Sequence, residues 1–196
     1  MRTFAFQLVF YGVSVPIVLG APFVALFGKR ALRGYAHLWA RFMAWCLEWI
    51  VGVRIEVEGA PLPGPALYAA KHESYFETLE IARRLHAPAI VMKRELLKIP
   101  VWGWASKRYG VIPVDRAASA KALRAIMKAG AAAQAEGRSV LIFPEGTRVR
   151  PGEQPPVKAG FAGLYRALGL PVVPVAVQSG HVWCRSGRMR RGTVRV

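Results

Sequence analysis

A chain of 196 residues, 54% of them hydrophobic, is long enough for one sizeable core and too apolar to be disordered. Its 28 Lys+Arg against 11 Asp+Glu give a formal charge of +17, so the partner to expect is both anionic and apolar, a description that fits a phospholipid surface better than DNA. Two distant cysteines, Cys46 and Cys184, argue against a disulfide framework, and Phe76 stands where a second ligand would complete a zinc-binding His-Glu-x-x-His after His72.

From Thr3 to Gly28 no side chain is charged. As one helix, at about 1.5 Å per residue, this run would reach across a ~30 Å hydrocarbon core. Pro16 and Pro22 make a kinked segment that dips into one leaflet equally compatible, and a cleaved signal peptide is the weakest reading, because Arg2 alone is a thin positive region. Lys29, Arg30 and Arg33 follow at once, which by the positive-inside rule keeps the rest of the chain on the cytoplasmic side. Between Tyr35 and Gly52, Leu38, Phe42, Trp45 and Trp49 form an apolar stripe at helical spacing, and the tryptophans suit a bilayer interface. A helix packed on the domain's own core is the competing reading.

After residue 52 the pattern changes. Val53 to Gly59 alternates apolar and charged residues as a half-exposed strand does. Further strands are expected at Ala66–His72, Ala89–Met92, Tyr109–Arg116, Ser139–Phe143 and Pro171–Gln178, with helices over about 117–136 and over Lys158–Gly169. Strands and helices in turn predict an α/β fold, a mostly parallel sheet flanked by helices. The chain thus divides into amino-terminal hydrophobic helices (1–52), a membrane anchor, and an α/β domain (53–196) that stops after "GTVRV", as a shortened chain would.

Where the second of these strands ends, "HESYFE" carries two readings. Ser74 followed by Glu77 fits a capping box, in which the serine caps a helix and the glutamate folds back over its first amides. A glutamate so folded also lies beside His72, where it would fix the imidazole tautomer and leave the other nitrogen free to take a proton. No nucleophile elbow accompanies the pair, so the hydroxyl that His72 activates belongs to a substrate.

"FPEGTR" leaves another strand: Gly146 permits a tight turn with bare amides, Thr147 offers a hydroxyl, Arg148 offers a fork suited to phosphate, and Glu145 either holds that arginine or accepts a substrate hydroxyl. Arg116 and Lys93 end neighbouring strands, where parallel sheets bind ligands. Singly, each is better explained by an ion pair, Arg116 with Asp115 and Lys93 or Arg94 with Glu95, and it is together that they point to a ligand.

The succession H-x-x-x-x-E, G-V-I-P-V-D-R, F-P-E-G-T-R and V-P-V-A-V, from about Val51 to Gly180, resembles the four blocks of the glycerolipid acyltransferase family, and within it the bacterial 1-acylglycerol-3-phosphate acyltransferases. The resemblance implies transfer of a fatty acyl group from acyl-CoA or acyl carrier protein to the free hydroxyl of a lysophospholipid, at the cytoplasmic face of the inner membrane, with no metal or organic cofactor. It makes His72 the base and Glu77 its orienting acid, with Lys93, Arg116, Glu145, Gly146, Thr147 and Arg148 binding the glycerol phosphate. The family's acid is most often aspartate, and Glu77 is one methylene longer. The alternatives are another lysolipid acceptor, or a non-catalytic basic protein that binds lipid or nucleic acid. The aromatics cluster in the amino-terminal helices and do not alternate with the arginines, so nucleic acid is not the expected partner.

Overall fold

The computed structural model describes residues 1–115 and 120–196. Helix α1 (Arg2–Ala25) passes through Pro16 and Pro22 without ending, and Gly28, at φ 97°, turns the chain into α2 (Lys29–Cys46). A single π-helical stretch, Leu47–Val51, follows and is closed by Gly52 in the left-handed region. Among the described residues α1 is the one helix long and apolar enough to cross a membrane.

Its faces differ sharply. Phe6, Phe10, Ser14, Ala21 and Ala25 are buried, while Phe4, Leu8, Tyr11, Val15, Leu19 and Phe23 are exposed at helical spacing along the other side. Of the stripe expected between Tyr35 and Gly52, Leu38, Trp45 and Trp49 are exposed while Phe42 packs against the core, and α2 packs inward through Leu32, Ala40, Met43 and Cys46.

A five-stranded parallel sheet forms the centre, in the order β4-β3-β5-β2-β6. Its strands are β2 (Leu67–Ala70), β3 (Ala89–Lys93), β4 (Ile112–Val114), β5 (Val140–Ile142) and β6 (Val172–Val175). Period-two alternation sends neighbouring side chains to opposite faces. Leu67, Val140 and Ile142 join Ile126 and Ala133 of α5 (Ala120–Ala135) and Leu164 and Leu168 of α6 (Ala159–Leu168). Tyr68, Ala70 and Leu141 meet Phe76 and Ile81 of α3 (Phe76–Arg84), Met43 of α2, and Phe6 and Phe10 of α1. The amino-terminal helices and the sheet therefore share one core.

The strand expected from Val53 forms as β1 (Val53–Glu56) but lies outside this sheet, paired in parallel with β7 (Gly192–Arg195). "GTVRV" is thus a paired strand. The run from Tyr109 yields a strand only at Ile112–Val114, because Trp102–Tyr109 is helix α4, ended by Gly110 in the left-handed region.

α4 packs hard on the 3₁₀ turn before it (Arg94–Lys98): a Cβ added to Gly103 would stand 2.2 Å from the Leu97 carbonyl oxygen. Backbone cannot swing aside as a side chain can. Gly103→Ala is expected to destabilise the protein by about 2–3 kcal/mol, read from chemical denaturation midpoints, whereas Gly34→Ala, which meets nothing within 4 Å, is expected to be neutral or mildly stabilising.

Candidate active site

Parallel strands deliver their following loops to one edge, and β2 and β5 are direct neighbours. His72, two residues past β2, therefore meets the turn past β5. The His72 amide donates to Glu145 Oε1 at 3.4 Å, the Val149 amide donates to the His72 carbonyl at 2.7 Å, and the Phe143 ring stacks on the imidazole with centroids 4.3 Å apart.

The 71–77 turn is built around one carboxylate. Ser74 Oγ accepts the Phe76 amide at 3.0 Å, starting α3, and Glu77 folds back so that Oε1 accepts the amides of Glu73 and Ser74. That same oxygen lies 3.0 Å from His72 Nδ1. The glutamate half of the capping box and the orienting reading thus hold at once, the longer glutamate arm spanning the distance, whereas the N-cap position is Tyr75, without a side-chain cap bond, and not Ser74. Ser74 Oγ and Ser179 Oγ both donate to Glu77 Oε2, at 3.0 and 2.6 Å. Burial opposes ionisation of Glu77, but the hydrogen bonds from His72, Ser179 and the Ser74 amide outweigh it and hold the carboxyl below its ordinary value of 4.5.

The Glu77 side chain is wholly buried and that of His72 is 18% exposed, so the pair opens to the outside on the imidazole side. With Nδ1 donating to Glu77, Nε2 on the ring's other edge carries the lone pair.

The β5 turn is tight. Gly146, at φ 66°, closes it by donating its amide to the Phe143 carbonyl at 2.9 Å, so the amide expected to be bare is already engaged. Glu145 Oε2 is buried with no protein partner, and Thr147 is exposed. The Arg148 guanidinium lies over the exposed Tyr75 ring at 4.2 Å, beside the α3 start.

The family model for acyltransferases matches residues 54–178. The chain belongs to the acyltransferase family. The 1-acyl-sn-glycerol-3-phosphate acyltransferase of Pseudomonas aeruginosa is 36% identical over 171 residues, covering 86% of this chain and 66% of that protein. The human 1-acyl-sn-glycerol-3-phosphate acyltransferase alpha is 29% identical over 180 residues, covering 89% and 62%. Among solved structures, the 1-acyl-sn-glycerophosphate (LPA) acyltransferase PlsC from Thermotoga maritima matches with a TM-score of 0.75 at 26% identity, over all of this chain and 84% of that one. The chain spans about half to two thirds of the length of the curated relatives it matches.

Of the remaining expected cations, Lys93 alone is among the described residues. Lys93 ends β3, which β5 separates from β2, and its side chain is exposed. Arg116 lies outside the described residues. Asp115, the suggested partner of Arg116, lies 3.7 Å from Arg94 Nη1.

Sequence reading missed Ser179 and Glu73. Ser179 is wholly buried between Glu77 and Ser74, and Glu73 Oε2 accepts the Ser179 and Gly180 amides at 3.0 and 2.9 Å. These bonds lock the loop after β6 onto the histidine turn. The available signal was a serine two residues past the last apolar run, at the edge where functional loops gather. Ser179→Ala removes one donor from Glu77, so acyl transfer is expected to fall about tenfold, with Ser179→Thr restoring most of it in the same assay.

Proposed function

We propose that this chain transfers a fatty acyl group from an acyl thioester, acyl-CoA or acyl carrier protein, to the free hydroxyl of 1-acylglycerol-3-phosphate, making phosphatidic acid. The observation that carries the reading is the fully buried Glu77 carboxylate held 3.0 Å from Nδ1 of a partly exposed histidine. His72 Nε2 takes the proton as the acceptor oxygen bonds to the thioester carbonyl carbon. The tetrahedral adduct expels the thiolate, and the imidazolium returns the proton to sulfur, leaving an ester and a free thiol. Glu77 stabilises the imidazolium between these steps. Arg148, Arg116 and Lys93 neutralise the acceptor's phosphate, with the Glu145–Thr147 turn shaping its cradle. The thioester is a co-substrate, and the reaction calls on no metal or organic cofactor.

The chain works at a membrane, on the cytoplasmic face of the inner membrane in this reading. α1 lies along the domain and does not project from it. Arg2 Nη1 donates to the Val51 carbonyl, Thr3 Oγ1 bonds Met189, and Ala21 and Ala25 pack against Leu32 and Tyr109, so the helix is tied down near both ends. A helix held in this way dips its exposed apolar face into one leaflet more readily than it crosses two.

The test is release of free thiol and formation of phosphatidate from lysophosphatidate, with acyl-CoA and acyl carrier protein as donors in parallel. Phosphatidate from either donor, at rates well above those with lysolipids lacking the phosphomonoester, is expected. Thiol release without any lysophosphatidate requirement would overturn the assignment.

A further inference from the structure

At the other end of the sheet lies a basic recess. A cavity of about 910 Å³ is bounded by His37 and Arg41 of α2, by Arg83, Arg84 and His86 at the end of α3, and by Arg138 just before β5. A smaller one, about 370 Å³, shares Arg41, Arg83 and Arg84 and adds Arg54 and Glu48, so the two form one groove. Its walls precede strands β2, β3 and β5, whereas the histidine turn follows them. Strands of about four residues at ~3.3 Å each separate the two ends.

Positive charge here is under-compensated. The buried Glu80 accepts Arg83 Nε and Nη2 at 2.9 and 2.6 Å and Arg84 Nε at 2.7 Å, one carboxylate serving two guanidiniums. Arg138 is satisfied by the carbonyls of Ala87, Pro88 and Gly110, which orient it without cancelling its charge, and Glu136 lies 3.7 Å from it. Arg41 is exposed, and among the described residues bordering the larger cavity none is acidic. The His37 and His86 rings stack with centroids 5.5 Å apart. His37 titrates below its ordinary value, first through burial and then through its neighbours His86, Arg41 and Arg83. His86 and Ala87 both hold positive φ, 48° and 74°, a backbone that non-glycine residues adopt at a cost and that sets the imidazole at the rim. Leu62, Leu85 and Tyr68 supply an apolar wall.

We infer that this groove binds a phosphoryl group borne on an apolar or aromatic body, held by Arg41, Arg84 and His86, at a site separate from the reaction centre. A free phosphate compound and the headgroup of a membrane phosphatidate share that chemistry.

Calorimetric titration with inorganic pyrophosphate, and sedimentation with phosphatidylcholine vesicles containing phosphatidate, distinguish the sources; vesicles with phosphatidylglycerol at equal charge are the control. Arg41→Glu and His86→Asn, the latter chosen because asparagine tolerates the left-handed backbone, are each expected to weaken the responding probe at least tenfold and leave acyl transfer unchanged. A pyrophosphate response assigns a soluble ligand, and a response to phosphatidate vesicles alone assigns a lipid headgroup. Wild-type binding to neither probe, binding unchanged in both variants, or equal binding to phosphatidylglycerol would overturn the inference. Because acyl transfer is read separately, failure here is distinguishable from failure of the catalytic assignment.

Discussion

His72→Ala is expected to lower kcat for acyl transfer by a factor of about 10²–10⁴ with little change in KM for either substrate, because general-base catalysis acts in the transition state and not in ground-state binding. The ring's surroundings sharpen this expectation. Its stacking on Phe143 and its bond to Glu77 fix the imidazole in one orientation. Folding should survive, since the His72 backbone contacts to Glu145 and Val149 do not need the ring. Steady-state kinetics on lysophosphatidate with a saturating donor, beside a denaturation curve, separates lost chemistry from lost structure. A variant within tenfold of wild type would remove His72 as the base.

Glu77→Ala is expected to act on stability as well as rate. The carboxylate accepts from two amides, two hydroxyls and an imidazole, and its removal leaves these donors facing a cavity where a wholly buried side chain stood. A loss of about 3–5 kcal/mol follows. The pH dependence has a definite sign. The folded state holds the Glu77 carboxyl below its ordinary value, so its contribution to stability is full above pH 4.5 and is lost as pH falls through the lower folded value. Wild-type stability should therefore drop on acidification below pH 4.5, and Glu77→Gln, which has no charge to lose, should lack that part of the drop. Denaturant midpoints measured between neutral pH and the acid limit check both statements. Parallel curves for the two proteins would show that Glu77 titrates normally.

Much of the α/β architecture was readable because its signals are local. Apolar runs ending in charge marked the strands, and Gly146 marked the β5 turn. Ser74 and Glu77, three apart, marked the start of α3 and with it the orientation of His72. What stayed hidden depends on strand order, which local patterns do not encode. Sequence named Lys93, Arg116 and Arg148 as strand-end cations without placing them relative to His72. Only the order β4-β3-β5-β2-β6 reveals that the β5 turn is next to His72 while β3 is one strand further away. Ser179 was missed for the same reason, being 102 residues from Glu77 in sequence. β1 was legible as a strand, but its partner β7 lies at the far end of the chain, so its exclusion from the main sheet was not. Pro16 and Pro22 suggested a break that α1 does not make, and α4 falls in a stretch to which the sequence reading assigned no element.

The account stands on the protonation of one ring. ¹⁵N NMR of the neutral His72 imidazole, in protein labelled at histidine and assigned by comparison with His72→Ala, reports which nitrogen carries hydrogen. The hydrogen bond to Glu77 predicts hydrogen on Nδ1 and a bare Nε2 facing the acceptor. Hydrogen on Nε2, with Nδ1 bare beside the carboxylate, would contradict it.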